Sequence, residues 1–598
     1  NYKNIDDSLS AKVNLKKLTA RIPEVDLRHN RIDVSAFALS DSQIEVENNN
    51  PPDKAVPVTG NREMTLREIW PPFTVNVDDF RITNTDIAYA AMGKQPVKGQ
   101  FDPDALKLEN IDFALSDLIL KKYEASLKLE GLTFQEASGL NLSNFQFNLN
   151  LDENSLNLKG LALQLNKNHL EGELKLDYNT LESFIKDPAS SRITASLNNL
   201  NADIGEFYLF SPQLKNNEYF VKLARRPITG NIAASGTLGN MNIYGADFNW
   251  GTTRISATGN LRHATDPENL QFELKPFNVK TTKRDLTQFI DESELGIKLP
   301  PAFTLKGTLA GTTSKFTTDA QLLTDQGTID IKGYVDITGD IAFDGKIKAS
   351  QIQLGQILTN ESLGDISLNI DAKGQGSDIN SLNATINVIV DSFAYNNYKI
   401  RDLRLSGDIK DGVGDLKSGY KDDNLDMDLL AHVILDSVAP QVDLNTQIRG
   451  ADLQALGLAA RNVKTALKIN ARFKGNGERY DITSTIDDGV AVYDDRTYLL
   501  GNVNLNAHVT PDTTSVNIKN RILDLDLESN ADPADFVNAL KRHFTTYLSD
   551  VAQTDTLTNP VKIKMRGHVA SAPILNEVLL ANLRELDTVD ITMDFDEL

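Results

Sequence analysis

The sequence predicts a mainly β protein: an elongated, repetitive, mostly antiparallel sheet with one apolar face, one polar face and a few short helices. Three observations predict it. Between 365 and 450 apolar residues recur at every second position, as Ile366, Leu368 and Ile370, then Ile386, Val388 and Val390, then Met427 and Leu429. Asp, Asn, Ser, Thr and Lys stand between them, and a period of two makes a strand whose faces differ. Breaks rich in Gly, Asn and Asp (GQG, YNN, KDG, KDD) return at intervals that suit tight hairpins. Finally, the text repeats. Lys373-Gly-Gln-Gly returns as Lys474-Gly-Asn-Gly, Ala384-Thr-Ile as Ser484-Thr-Ile, Tyr398 as Tyr498 and Leu405 as Leu505. Repetition of this kind makes a stack in which each unit covers its neighbour.

In chain order, residues 1–47 read as a first β segment, with strands around Val13, Val25, Ile32 and Ile44. Residues 48–70 form a Pro-rich connection and a short helix over 62–69. The run NNNPPDKAVPVTG cannot lie inside a sheet, because proline lacks the ladder donor. A β segment over 71–177 includes the clear alternation LNLSNFQFNL from Leu140. Residues 178–225 are a mixed segment with short helices at 181–185 and within 204–223. Residues 226–450 are the central groove repeats, interrupted by a helix over 285–295. Residues 451–530 make one further repeat, and 531–598 a helix-containing segment that continues into strands. A helix from Asp532 to about Ser549 puts Phe536, Leu540, Phe544 and Leu548 at steps of four. A second, over 576–586, gathers Val578, Leu579, Leu583 and Leu586. Such helices cap or fill a sheet more often than they bind lipid or a partner. A further marker, a strand running into a short Ala-Asp-Leu-like helical turn, occurs at Ile204, Leu286, Leu354, Leu453 and Phe536.

Composition removes several functions. Net charge is −22, which argues against a nucleic-acid footprint and a polybasic membrane patch. The acid is spread along polar strand faces. There is no cysteine, hence no disulfide, thiolate zinc site or thiol nucleophile. No two of the seven histidines lie closer than 25 residues, so no local metal-ligand motif exists. The Lys-Gly-x-Gly segments lack the strand–loop–helix setting of a phosphate loop. Asp422, Asp423, Asp426 and Asp428 resemble a calcium cluster, but Leu425, Met427 and Leu429 alternate with them, which makes Asp426 and Asp428 the outer face of a strand. No carboxylate pair stands out for acid–base work. The expectation is a protein that is not an enzyme and uses no cofactor or metal. Two tryptophans, Trp70 and Trp250, cannot supply the girdles of an outer-membrane barrel. With no signal peptide and no apolar run near 18 residues, the chain is expected to be an internal piece whose anchor lies upstream.

From LGDISLNIDAKGQGSDINSLNATINVIVDSFAYNNYKIRDLRLSGDIKDGVGDL through DDNLDMDLLAHVILD to the turn at Ala451-Asp-Leu, and at Gly236-Thr-Leu-Gly-Asn, the chain resembles the TamB family, within the AsmA-like group of Gram-negative envelope proteins. The likeness is strongest over 190–460. It implies a translocation and assembly module: a U-shaped β groove (a β-taco) spanning the periplasm, anchored in the inner membrane, that conducts phospholipid between the inner and outer membranes. It also implies an alternative role in outer-membrane protein assembly with a BamA-like barrel partner. The residues alone point to a groove as well, since a one-faced sheet with too few helices to cover it must curl or hold a ligand. Candidate lining residues on the concave face are Ile366, Leu368, Ile370, Ile386, Val388, Val390, Leu405, Met427, Leu429 and Leu444. Within each strand they share parity, while Asn387, Asp426 and Asp428 take the other face. The expected partners are phospholipid acyl chains, the barrel protein and the inner membrane, with no nucleic acid. A third reading, an extracellular β-solenoid binding carbohydrate or protein, wants outward aromatics; Phe145 and Phe147 instead share the apolar register.

Overall fold

The computed structural model describes residues 2–3, 9–48, 70–548 (save 92, 238, 265, 267 and 397), 560–575, 577 and 587–597. The helices expected over 62–69 and, but for Glu577, over 576–586 lie outside the described residues. The chain is mainly β, its sheet is mostly antiparallel and not closed, and helices are few and short. It divides into two compact units, Asn1–Phe289 with Thr304–Thr313, and Ile290–Phe303 with Ser314–Leu598.

In the first unit the strand Thr74–Ala91 is 18 residues long. Three short strands, Arg31–Val34, Ala36–Ser40 and Gln43–Asn48, pair along it in parallel. Beyond them Leu9–Asn14, Lys17–Arg21 and Glu24–Asp26 pair antiparallel with those three. On its other side Thr74–Ala91 starts a meander of antiparallel neighbours that runs to Gln271–Thr282.

The second unit continues the same way from Lys315–Thr324 to Val589–Glu597. Its turns show why. In KDG, Asp411 and Gly412 take φ 50° and 74°, between the paired Lys410 and Val413. Two residues at positive φ make a hairpin turn whose twist matches the strands, and Asp-Gly supplies it at least cost. GQG behaves differently from the expected break. It ends the strand Leu363–Gly376, and the chain turns over 377–382. Gly374 faces the apolar side, where a Cβ would come within 2.7 Å of the Phe343 ring.

The Asp-Leu markers all fall at helical turns that follow a strand. An aspartate starts three of them: the marker's own Asp203 and Asp452, and Asp532 four residues before Phe536; Leu354 follows Gln353, which makes no side-chain cap, and Asp285 lies inside its turn. Asp203 accepts from the Gly205 N–H, Asp452 from the N–H groups of Gln454 and Ala455, and Asp532 from those of Ala534 and Asp535. Each is an N-cap that starts a turn. We expect Asp452→Ala to cost about 1 kcal/mol, the usual value of a cap; urea unfolding measures it, and a change below a few tenths would show the turn to be held by packing alone. The markers do not all mark one edge. The strands Ile341–Gln353 and Gln441–Asp452 run in the same direction and end at the same edge of the second unit. Arg496–Leu499 and Val503–Thr510 both pair with Tyr480–Tyr493 as one interrupted strand, so Leu523–Ser529 ends at the opposite edge. The helix Pro533–Leu548 follows there, and packs Phe536, Ala539 and Leu540 over Val561, Ile563 and Phe595.

The helix expected over 285–295 is two short pieces, Lys283–Leu286 and Glu292–Leu295. Gln288 and Phe289 donate their N–H groups to the carbonyls of Asp285 and Leu286, three residues back, and such bonds tighten a turn instead of propagating it. The Asp285 side chain is committed to the neighbouring hairpin, as described below.

Candidate functional site: the apolar face

Register builds the candidate site. In the second unit, cross-strand partners run from Phe316 through Val335, Phe343, Gly374, Ala384, Ile409, Gly414, Val433, Val442, Phe473, Ile482, Ala507, Val516, Leu527 and Met565 to Met593. No polar side chain interrupts this row. At about 4.8 Å per strand it extends for roughly 70 Å along the unit. The first unit has its own row, from Val75 through Leu120, Ala125, Leu151, Leu156, Leu176, Ile193, Gly236, Met241 and Leu261 to Phe272.

The ten candidate lining residues belong to this face. Ile370, Val388 and Leu405 are successive partners, and the row continues through Ser418 to Leu429. Leu368 lies opposite Val390, Ile386 between Ala372 and Gly407, Met427 between Tyr420 and Ile448, and Leu444 between Ala431 and Ala471. Ile366 faces Ile352 and Phe393. All ten are half-buried, whereas Asn387, Asp428, Arg404 and Ser406 on the opposite face are exposed. The face is therefore sheltered but not packed shut. Half-buried isoleucines and leucines leave apolar area in water, at about 25 cal/mol per Å². An acyl chain laid along the row removes that area from water.

Strict parity missed part of the lining. The strands Asn383–Tyr395 and Tyr398–Lys410 each carry an extra residue, Asp391 and Asp402, between the pairs Val390–Leu403 and Ser392–Arg401. Asp402 has φ 55°. A bulge advances the pattern by one residue, so Phe393 and Ile400, three positions from Val390 and Leu403, return to the apolar face. Ile352 rejoins Ala349 in the same way past Gln351, at φ 52°. The signal in the sequence was a spacing of three across a polar pair containing Asp, Asn or Gln.

The polar side is indented as well. A hollow of about 750 Å³ is lined by Asp330, Lys332, Lys346, Lys348, Asn369, Asp371, Asn387, Ile389, Arg404 and Ser406, with Ile331, Ile347, Ile370, Val388 and Leu405 between them. Two polar rows flanking one apolar row place this hollow on the polar face. The apparent calcium cluster is divided among other partners. Asp426 holds Lys421 and Arg449, Asp428 holds Arg449, and Asp422 accepts the hydroxyls of Tyr398 and Tyr420.

That tyrosine pair closes the apolar face at one edge. Tyr398, Tyr420, Leu425, Ala451 and Leu456 form a buried cluster beneath the capped turn at 453–456. Burial, followed by the hydrogen bond to Asp422, pushes the Tyr398 hydroxyl well above its ordinary pKa. Asp422 is opposed by burial but is held below the usual carboxylate range by hydrogen bonds from Tyr398, Asn424, Tyr420 and Leu425. The repeat carries the same device: Tyr498 donates to Glu577 at 2.6 Å over a cluster of Val463, Ala491, Ala572 and Ile574. We expect Tyr398→Phe to cost about 1 kcal/mol, the net worth of one such bond. A double-mutant cycle with Asp422→Asn measures the coupling, and additive effects would show that the pair does not act together. Among the described residues no group of His, Asp and Glu is placed to hold a metal ion, and no helix is long and apolar enough to cross a membrane.

In comparisons with known proteins, no family model and no curated protein matches the chain.

Proposed function

We propose that this chain is a scaffold whose apolar sheet face carries phospholipid acyl chains, the groove segment of a conduit between the inner and outer membranes of a Gram-negative envelope. The observation that supports this reading most is the polar-free row from Phe316 to Met593, whose members are half-buried except for Gly374, Ala384, Ile409, Gly414 and Leu527, which are buried. Its sixteen members come from sixteen strands, so the apolar face is continuous along the unit. The polar face carries the solvation. Organic extraction of the purified protein followed by mass spectrometry should recover phospholipid in molar excess over the chain. A photo-crosslinker in place of Val388 should trap lipid. A lipid-free protein, with crosslinks at 388 only to protein, would overturn the proposal.

A second reading, assembly of outer-membrane strands with a BamA-like barrel, draws on the edge from Lys12 to Asp26. No other strand among the described residues pairs along its outer side, and Val13, Leu15, Leu18, Ile22 and Val25 are exposed there. An edge of this kind adds a strand from another chain. Crosslinking from Leu18 to a nascent barrel protein in cells tests it.

A further inference from the structure

Exposed aromatics are unevenly spread. Among the described residues five Phe or Tyr side chains are prominently exposed, and three of them, Phe207 at 53%, Phe210 at 49% and Tyr219 at 64%, lie in one short stretch of the first unit. Val221 is exposed beside them. This stretch fills the connection between the strands Arg192–Ala202 and Ile228–Thr237 with three one- or two-turn helices, Ile204–Leu209, Pro212–Asn216 and Glu218–Leu223.

The segment is a built surface. Side chains three apart eclipse one another on a 3₁₀ helix, so Phe207 and Phe210 project on one side. Phe210 packs on Phe101 at 5.3 Å between ring centres, and the Phe101 N–H donates to the Leu209 carbonyl. Tyr208 packs against Phe220 at 5.6 Å and ties the first helix to the third. Cations border the rings. Lys215 lies over Tyr208 at 5.4 Å, Lys222 over Tyr219 at 5.8 Å, and Arg225 is exposed. Of the acids nearby, Asp203 pairs with Lys167 and Glu218 with Lys222, while Glu206 accepts from the Asn166 amide and keeps its charge. A chain of net charge −22 thus presents here an aromatic surface on which three cations, Lys215, Lys222 and Arg225, outnumber two acids, Glu206 and Glu218.

We infer that residues 204–225 are a contact site for an anionic lipid bilayer surface. Phenyl and phenol rings seat at the headgroup–acyl boundary, and lysine and arginine reach the phosphates while their stems stay among the chains. The charge sign selects the occupant: an anionic surface complements Lys215 and Arg225, and rings standing free in water gain from entering the interface. This contact is independent of the lipid groove and stands or falls separately.

The test is co-sedimentation of the whole chain with phosphatidylcholine vesicles, with and without about a third phosphatidylglycerol. The wild type should sediment with the anionic vesicles, and less so in high salt. Phe207→Ser with Phe210→Ser should weaken binding about tenfold, and Lys215→Glu with Arg225→Glu should abolish the preference for anionic lipid. Tyr244→Ser, which removes an equally exposed ring outside this segment, should leave this binding unchanged. As a measure that does not depend on removing Phe210 from Phe101, Phe207→Trp should give a blue-shifted emission on vesicles that brominated lipid quenches. Wild-type protein that ignores anionic vesicles, variants that bind as well as wild type, or an unquenched Trp at 207 would each overturn the inference.

Discussion

Val388→Asp is expected to stop lipid transfer while the protein stays folded. Val388 lies in register between Ile370 and Leu405, is half-buried, and faces the apolar side. An aspartate among hydrocarbon costs about 3 kcal/mol, roughly a hundredfold in the rate at which a chain passes. The fold loses far less. Water reaches a half-buried position, so the carboxylate keeps most of its hydration, and the strand gives up about 1–2 kcal/mol in β-propensity and lost apolar contact. Asn387→Asp, one residue away on the exposed face, is the control and should transfer at the wild-type rate. Transfer of labelled phospholipid between donor and acceptor vesicles measures the effect. If Val388→Asp unfolds the protein, the face is a closed core; if it folds and transfers normally, lipid does not pass over Val388.

Asp285→Ala is expected to give the largest loss of stability. Asp285 is only 2% exposed. One carboxylate oxygen takes the Arg226 guanidinium at 2.6 Å. The other accepts from the backbone and hydroxyl of both Thr252 and Thr253, at 2.8 to 3.0 Å. The turn thereby clamps the tip of the hairpin whose loop includes Gly251 (φ 60°), where a Cβ would collide with the Arg226 guanidinium. Arg226 also lies over Trp250, whose indole donates to the Leu223 carbonyl and whose ring packs on Phe289. Removing the carboxylate strands a guanidinium and the N–H groups of Thr252 and Thr253, worth about 3 kcal/mol, while the two hydroxyls can turn to Thr282 and Thr281. Acid does the same gradually. Burial raises the Asp285 pKa, but the bonds from Thr252, Arg226 and Thr253 outweigh it and hold it at about 2, against 3.8. A depressed carboxylate stabilises the fold fully above its unfolded pKa, and this contribution disappears as pH falls from about 4 to about 2. It amounts to about 2 kcal/mol. Urea unfolding of the first unit, read at pH 7 and pH 2.5, should show Asp285→Ala far below wild type at the higher pH and much closer to it at the lower. A constant gap across that range would mean that the carboxylate charge contributes nothing.

Much of this was written in the sequence where the chemistry is local. Alternation around Ile366–Ile370 and Ile386–Val390 sufficed to place ten residues on one face, because side chains of a strand alternate whatever surrounds them. Asp411-Gly412 announced its hairpin, since few dipeptides tolerate two positive φ angles. The aspartates at 203, 452 and 532 announced helical turns, because a carboxylate beside free N–H groups satisfies them within three residues. The stripe Phe536–Leu540 announced a helix that fills the sheet.

The tertiary structure decided what depends on a neighbouring strand. Asp391 is a bulge against the strand Leu363–Gly376, where Ser367 pairs with Ser392 but Leu368 with Val390; with Asp402 opposite it, Phe393 and Ile400 return to the apolar face, and such a slip exists only relative to a partner. Asp285 looked like a residue of one long helix; its partners, Arg226, Thr252 and Thr253, lie 32 to 59 positions away, and they turn it into a clamp. Tyr398 stood in the sequence only as the counterpart of Tyr498; two neighbouring strands bring its hydroxyl and that of Tyr420 to Asp422. The sequence by itself determined the β class, the two-faced strands, their hairpins and the turns that cap them, since these follow from the period of two and from short-range hydrogen bonds. Only the tertiary structure decided which residues join into an unbroken row from Phe316 to Met593, because that row is a sum of strand registers, each fixed by pairing with a neighbour and none by the strand's own residues.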